Sequence, residues 1–298
     1  MAPPITVILN CAAGTAEARA QELRDRLINV FRAHGAEARV SLVHSGAEIL
    51  EVARCASQER FGVVVAAGGD GTISSVASVL ARTGTPMGVL PLGTLNHFAK
   101  DLKIPLDIEE AARVILAGHT TEVDVGEVNG HIFVNNSSLG LYPAIVRERQ
   151  RLQRMGRGKW PAFAWAAAQA LRRYPFLFVR LHVEGIEITR RTPFVFIGNN
   201  EYNMEGFRIG SRDALNRGEL SLYLTRQIGR AGLLLLSLNA ILGLKSARSF
   251  DALKAQEFWI ETPPRRMRIA LDGEVVTIEP PLHYRVQPRA LRVIVPSG

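Results

Sequence analysis

The chain has 298 residues, 47% of them hydrophobic and 21% charged, which is enough to bury a large core and, on length, to divide into two domains. That composition, with two cysteines, excludes a disordered, collagenous or disulfide-stapled chain. Thirty-six Lys+Arg against 28 Asp+Glu leave a net charge of +8, so an anionic partner is expected: a nucleotide, a nucleic acid or an anionic lipid surface.

The start MAPPITVILN has neither a basic n-region nor a cleavable apolar stretch, and a cytoplasmic location is the expectation. Cys11 and Cys55 lack metal-type spacing and read as small packing residues of a reducing compartment. The longest apolar run, Ala231 to Leu244, falls short of the ~20 residues of a membrane span and reads as a buried or membrane-surface helix.

Strands and helices alternate through the first third. Strands are expected at Ile5 to Leu9, Ala38 to Val43, Phe61 to Ala67 and Pro86 to Pro91. Helices are expected at Glu17 to His34, Ala47 to Ser57, Thr72 to Arg82 and Ile108 to Ala117. This order implies a parallel sheet covered by helices on both faces. Beyond Asp124 the chain breaks into short alternating segments: Val123 to Val128, His131 to Ser137, Leu177 to Val183, Phe194 to Gly198, Leu220 to Thr225, Glu257 to Glu261, Arg266 to Leu271 and Leu291 to Val295. These suit an antiparallel β-sandwich with helical insertions at about 143 to 174 and 230 to 245. The expected division is therefore an α/β domain over 1–125 and a sandwich domain over 126–298, the last strand being a candidate to return to the first domain.

Gly68-Gly69-Asp70-Gly71-Thr72 follows a strand and opens a helix. Glycines allow a tight turn and close approach to an anion, and the first helical N–H groups and the positive dipole end face it. Asp70 would repel phosphate unless a cation or a sugar hydroxyl stood between them. The alternative is an Asp-Gly turn with a helix cap. Two further loops end strands of the same sheet, Asn10-Cys11-Ala12-Ala13-Gly14 and Pro91-Leu92-Gly93-Thr94-Leu95-Asn96, on the edge where open α/β sheets bind ligands. No P-loop, G-x-G-x-x-G, H-E-x-x-H or G-x-S-x-G pattern is present.

GGDGT at 68–72, PLGTLNHFA at 91–99, VDVG at 123–126 and LDGE at 271–274 together resemble the diacylglycerol kinase catalytic domain family, whose bacterial members are lipid kinases related to sphingosine kinases. The resemblance implies a nucleotide-binding α/β domain followed by a β-sandwich domain that takes the lipid. It implies an ATP- and Mg²⁺-dependent enzyme that phosphorylates a hydroxyl of diacylglycerol, a sphingoid base or a related lipid. Carried over residue by residue, it assigns ATP to Asn10, Cys11, Ala12, Ala13 and Gly14, to Gly68, Gly69, Asp70, Gly71, Thr72, Ile73, Ser74 and Ser75, and to Thr94 and Asn96. Asp70 and Asp124 are assigned to Mg²⁺ and its water, Glu274 to general-base catalysis, and Asp272 to the catalytic segment beside it. On its residues alone, Leu271-Asp272-Gly273-Glu274 is an Asp-Gly hairpin.

The chain departs from the family pattern at three places. Cys11 replaces a loop proline. His97 stands where an aspartate is usual, and retuned activity is expected. Arg217 occupies an aspartate position of a second, structural Mg²⁺ site, and loss of that site is expected. Between Arg147 and Lys159 six basic residues accompany one acid, Glu148, and Trp160 to Trp165 follow, a pattern that suits an anionic membrane surface as well as a solvated helix packed by its Trp face. No nucleic-acid recognition motif accompanies the charge. Asn199 to Tyr202 offer unassigned polar groups, and homodimerisation is left open. Two rival functions stand beside the lipid kinase: an NAD kinase-like small-molecule kinase, and a nucleotide- or lipid-binding regulator without turnover.

Overall fold

The computed structural model describes residues 5–11, 17–58, 62–140, 176–205, 208–225 and 250–297. The elements run β1 (Ile5–Asn10), α1 (Glu17–Ala33), β2 (Ala38–Val43), α2 (Gly46–Ser57), β3 (Val63–Gly68), α3 (Asp70–Leu80), β4 (Met87–Pro91), α4 (His97–Asp101), α5 (Ile108–Ala117) and β5 (Thr120–Val128). They continue with β6 (His131–Phe133), β7 (Asn136–Gly140), β8 (Leu177–Val183), β9 (Ile186–Thr192), β10 (Phe194–Asn199), β11 (Met204–Glu205) and β12 (Arg208–Ile209). The last are β13 (Leu220–Thr225), β14 (Phe250–Ala255), β15 (Glu257–Glu261), β16 (Met267–Leu271), β17 (Glu274–Ile278) and β18 (Leu282–Ile294). Two compact units result, Met1–Val125 with Pro288–Gly298, and Gly126–Gln287.

In the first unit β2, β1, β3 and β4 lie in that order, all parallel. Every residue of β3 and β4 is buried, which a strand achieves only when both sheet faces are covered. The helices supply that cover, α1 packing beside α5 and α2 beside α3. Local chemistry sets their ends. Ser45 caps α2 by accepting the Glu48 N–H at 3.2 Å, while Glu48 reaches back to the His44 N–H at 2.9 Å, a variant of the reciprocal S-x-x-E cap. Asp107 accepts two N–H groups at the start of α5, and Gly118, at φ 70°, ends it. The tail of β18 joins this sheet with Val293 opposite Met87, parallel. Beside that strand Arg82 donates its N–H to Ala290 O (2.6 Å) and Val295 to His119 O (2.8 Å).

The second unit contains two antiparallel sheets. One holds β18, β15, β8 and β9 in order, with β5 beside β18 and β6 beside β5; the other runs β14-β13-β10-β7-β16-β17. Alternate residues of both fill one core, including Phe133, Leu139, Ile197, Phe258, Ile269 and Tyr284, as a sandwich requires. Tyr284 stacks on Phe258 at 5.2 Å, and its hydroxyl meets that of Ser137 at 2.9 Å inside the core. Burial pushes the Tyr284 phenol far above its usual range, so it stays protonated.

The expected classes are therefore present, an α/β part with a parallel sheet and an antiparallel β-sandwich, and several elements differ in extent. The single strand expected over His131 to Ser137 is broken at Val134–Asn135, because the N–H groups there bond to Asp272 and leave the ladder. The helix expected to Arg82 stops at Leu80, two residues before Arg82 takes φ 67°. Helix α4 and strands β9, β11, β12, β14 and β17 had no separate expectation, and β18 begins nine residues before the expected strand start at Leu291. The insertions at 143–174 and 230–245, the apolar run 231–244 and the basic and Trp-bearing stretch 147–165 lie outside the described residues. No helix among the described residues is long and apolar enough to cross a membrane.

Replacing Tyr284 with Phe leaves the buried Ser137 hydroxyl without its partner and is expected to cost about 1–3 kcal/mol in urea denaturation. The double variant Tyr284→Phe/Ser137→Ala should recover most of that loss.

Candidate functional site

Three backbone-level contacts fasten the loop after β3 to the loop after β4. Leu92 N–H donates to Gly68 O at 2.9 Å. Gly93 lies against Gly69 so closely that a Cβ on Gly93 would sit 2.6 Å from the Gly69 Cα. Asp70 Oδ1 accepts the His97 N–H at 2.8 Å, placing a carboxylate on the first N–H of α4, where helix-end charge favours it. Asp70 is partly exposed, and its second oxygen has no partner among the described residues.

Gly69 is the N-cap of α3 in extended conformation, with no side chain capping that end. The first N–H to find a helical acceptor is that of Ile73, bonded to Gly69 O at 3.1 Å. The preceding N–H groups of the first turn, Asp70, Gly71 and Thr72, are thus unused by the helix and available to an anion. Thr72 covers Gly68, where a Cβ would be 2.4 Å from Thr72 Oγ1, and that oxygen accepts from Asn10 Nδ2 at 2.8 Å. Asn10 at the end of β1 is therefore tied to α3. Cys11 is buried, its N–H on Val43 O, while Ala12, Ala13 and Gly14 lie outside the described residues.

Other expected nucleotide residues separate by role. Ile73 is 0% exposed in the core, as an apolar residue at the fourth position of an amphipathic helix faces inward. Ser74 and Ser75 are part-buried, and the Ser75 carbonyl accepts from the Ser78 hydroxyl. Thr94 is exposed, as is the His97 side chain. Asn96, 4% exposed and at φ 50°, spends its amide on its own loop: Oδ1 accepts the Gly93 N–H at 3.0 Å and Nδ2 donates to Gly93 O at 2.8 Å. Its side chain shapes the loop instead of reaching outward. Asp124 is 1% exposed, and Oδ1 accepts the N–H of Arg289, a residue at φ 52°. It holds β18 to β5, a structural duty that the motif VDVG does not disclose.

In the second unit Asp272 and Gly273 form the two-residue turn between β16 and β17, at φ 47° and 88°, the hairpin geometry that Asp-Gly favours. The Asp272 carboxylate accepts three consecutive N–H groups, Val134 at 2.8 Å on Oδ2 and Asn135 and Asn136 at 2.8 and 2.9 Å on Oδ1. A carboxylate so engaged anchors the turn that precedes Glu274. Glu274 begins β17 opposite Leu271 and is exposed as a residue. The protein around its carboxyl still desolvates it, raising its pKa above the usual 4.5, and the Asp272 charge adds to the rise.

Three neighbouring residues had no specific sequence signal. Buried Arg212, Asn135 and Asn199 form a polar network with Val134; only the Asn199 to Tyr202 run stood out as polar. Arg217, at the position of a family aspartate, pairs with Glu201 at 3.0 Å, and Glu201 also receives Lys254 at 2.6 Å. Among the described residues no group of three or more His, Cys, Asp or Glu side chains is arranged to hold a metal.

Residues 4–128 match the family profile of the diacylglycerol kinase catalytic domain, and residues 139–295 that of the YegS C-terminal NAD kinase beta sandwich-like domain. The chain belongs to the family of the second profile, which spans more than half of it, and carries a diacylglycerol kinase catalytic domain at residues 4–128. Among similar curated proteins, the diacylglycerol kinase of Staphylococcus aureus strain MRSA252 is 38% identical over 136 residues, 45% of this chain and 42% of that protein. Its counterpart from strain JH9 is 39% identical over 122 residues, 40% of this chain and 38% of that protein. The chain thus spans about two fifths of the length of the curated relatives it matches. A solved structure of a diacylglycerol kinase from Bacillus anthracis strain Sterne superposes with a TM-score of 0.72 at 19% identity, over 99% of this chain and 97% of the other. A second structure from that organism gives 0.75 at 20%, over 99% and 98%. Both share the diacylglycerol kinase-like fold.

Adding a methyl at Gly93 should force the two loops apart, and Gly93→Ala is expected to lose about 1–3 kcal/mol of stability. Gly69→Ala, whose Cβ would meet Gly93 Cα at an ordinary 3.5 Å, should lose no more than about 1 kcal/mol in the same urea titration, the usual disadvantage of alanine against glycine at an N-cap.

Proposed function

We propose that this protein is a lipid kinase that uses ATP and Mg²⁺ to phosphorylate a hydroxyl of diacylglycerol or a related lipid. The reading is carried by the fastened pair of loops after β3 and β4, which leave a helix N-terminus and a partly exposed carboxylate at the same strand ends. The N–H groups of Asp70, Gly71 and Thr72 would receive phosphate oxygens, and helix polarity favours negative charge there.

Mg²⁺ is commonly held by one or two carboxylates together with substrate phosphates and water. Asp70 fits that demand, with one oxygen fixed by His97 N–H and the other without a partner among the described residues. Asp124, buried on Arg289 N–H, is assigned to holding the strand. When bound, the metal neutralises charge on the transferring phosphates. Glu274 would act as general base: it takes the proton of the lipid hydroxyl, whose oxygen bonds to the γ-phosphorus as the bond to the ADP oxygen breaks.

The family relationship supports a kinase of the diacylglycerol type, and the named relatives of Staphylococcus aureus support diacylglycerol as the acceptor to try first. A second reading, phosphorylation of NAD, draws on the description of the C-terminal profile and is tested by formation of NADP from NAD and ATP. A lipid acceptor also calls for a membrane-facing surface in a cytoplasmic enzyme. The basic and Trp-bearing stretch 147–165 is the sequence's candidate, and loss of binding to phosphatidylglycerol vesicles on neutralising its arginines is the test.

Phosphorylation of dioctanoylglycerol in detergent micelles with labelled ATP tests the main reading. Glu274→Gln should lower kcat by roughly 100- to 10,000-fold. Asp70→Asn, which keeps an acceptor for His97 N–H but removes the charge, should abolish Mg²⁺-dependent turnover while the protein remains folded by circular dichroism. A normal rate in either variant removes its assigned role.

The raised pKa of Glu274 fixes the sign of the pH dependence. A base that holds its proton above the ordinary glutamate range is lost sooner on acidification, so kcat/KM should fall with decreasing pH already above 4.5. In Asp272→Asn, which removes the like charge, that acid limb should move to lower pH.

A further inference from the structure

Arg212 lies between β12 and β13 and is 4% exposed. Nη1 donates to Val134 O at 2.7 Å and to Asn199 O at 3.0 Å, and Nη2 donates to Asn135 Oδ1 at 2.8 Å. Asn199 Nδ2 adds a second bond to Val134 O at 3.0 Å, and the guanidinium lies 5.1 Å from the centre of the Tyr202 ring. A planar fork reaches these acceptors together, which an ammonium point charge does less well.

The other side of the same segment faces Asp272. One peptide group, that joining Val134 and Asn135, gives its carbonyl to Arg212 and its N–H to Asp272 Oδ1. A cation, a peptide and an anion are thus joined head to tail, an arrangement in which each hydrogen bond polarises the next. Asp272 then opens the two-residue turn, and Glu274 follows it at the start of β17. The line from Arg212 to Glu274 consists of two hydrogen bonds, one peptide and one tight turn, all within the second unit.

We propose that Arg212 is a positioning residue for Glu274: by fixing the Val134–Asn135 peptide it fixes the Asp272 carboxylate and hence the turn that aims the base. The proposal rests on the reading of Glu274 as general base. It assigns Arg212 no contact with nucleotide or lipid, so its loss should appear in kcat and not in the KM for ATP.

The experiment measures kcat and KM for ATP with dioctanoylglycerol in micelles for Arg212→Met, Arg212→Lys, Asp272→Asn and the double variant Arg212→Met/Asp272→Asn. Displacement of a reacting group by about 1 Å can cost on the order of 100-fold, and a loss of roughly 10- to 100-fold in kcat is expected for Arg212→Met with KM for ATP unchanged. Arg212→Lys should recover part of the rate. The double variant should be no slower than the slower single one, because both substitutions release the same segment. Wild-type kcat in folded Arg212→Met and Arg212→Lys, a loss expressed in the KM for ATP, or multiplicative losses in the double variant would each overturn the proposal. If Arg212→Met does not fold, Arg212→Lys and Asn135→Ala carry the same comparison under the same criteria. Full activity of Glu274→Gln removes the base assignment beneath the proposal and the proposal with it. A slow Glu274→Gln beside an unaffected Arg212 series removes the proposal alone.

Discussion

The contact between Gly69 and Gly93 is the constraint on which the geometry of the loops after β3 and β4 depends. Two backbones meet where no Cβ fits on the second, and hydrogen bonds on either side, Leu92 to Gly68 and His97 to Asp70, keep them there. The positions of Asp70, the uncapped start of α3 and the short helix α4 all follow from that closure. Asn96 completes it by bonding both polar groups of Gly93. Gly93 is required here by crowding between two loops, and the sharp loop conformation falls on Asn96 at φ 50°.

The second unit solves a comparable problem with charge. A β-strand that crosses from one sheet to another must leave its ladder, and the freed N–H groups of Val134, Asn135 and Asn136 need acceptors. Asp272 supplies one carboxylate for all three, and Arg212 satisfies the carbonyl side. Breaking such a network by removing one member leaves the rest buried and uncompensated. This coupling accounts for an aspartate in a turn where asparagine would satisfy the backbone angles equally well.

Much of the first unit was legible because its strands are continuous apolar runs and its helices alternate with them as amphipathic stretches. The α/β class and the sandwich class both follow from element order. Legibility failed where tertiary partners decide. Nothing in HIFVNNS announces a break at Val134, because the acceptor that causes it is over a hundred residues away. Strand β9, ITRR at its centre, has too little apolar alternation to stand out, and α4 is five residues long with its first N–H bonded to Asp70 in another loop. The motifs drew attention to the loops after β3 and β4 and to the turn at Asp272, yet they could not separate side chains that face outward from those that build the backbone around them. Asn96, Asp124 and Asp272 carry conspicuous motif positions and are each engaged with backbone.

Strand β18 brings the distant end of the sequence into the first sheet. Val293 lies beside Met87, Ala290 accepts from Arg82, and Arg289 is gripped by Asp124. During synthesis the outer edge of β4 therefore stays open until some two hundred further residues have emerged, an interval of tens of seconds at usual elongation rates. An open parallel edge is a pairing hazard for that whole interval. The parallel sheet, although its first strands are the first to be made, is thus among the last parts to be finished, and a nascent chain that stalls in the sandwich leaves it unclosed.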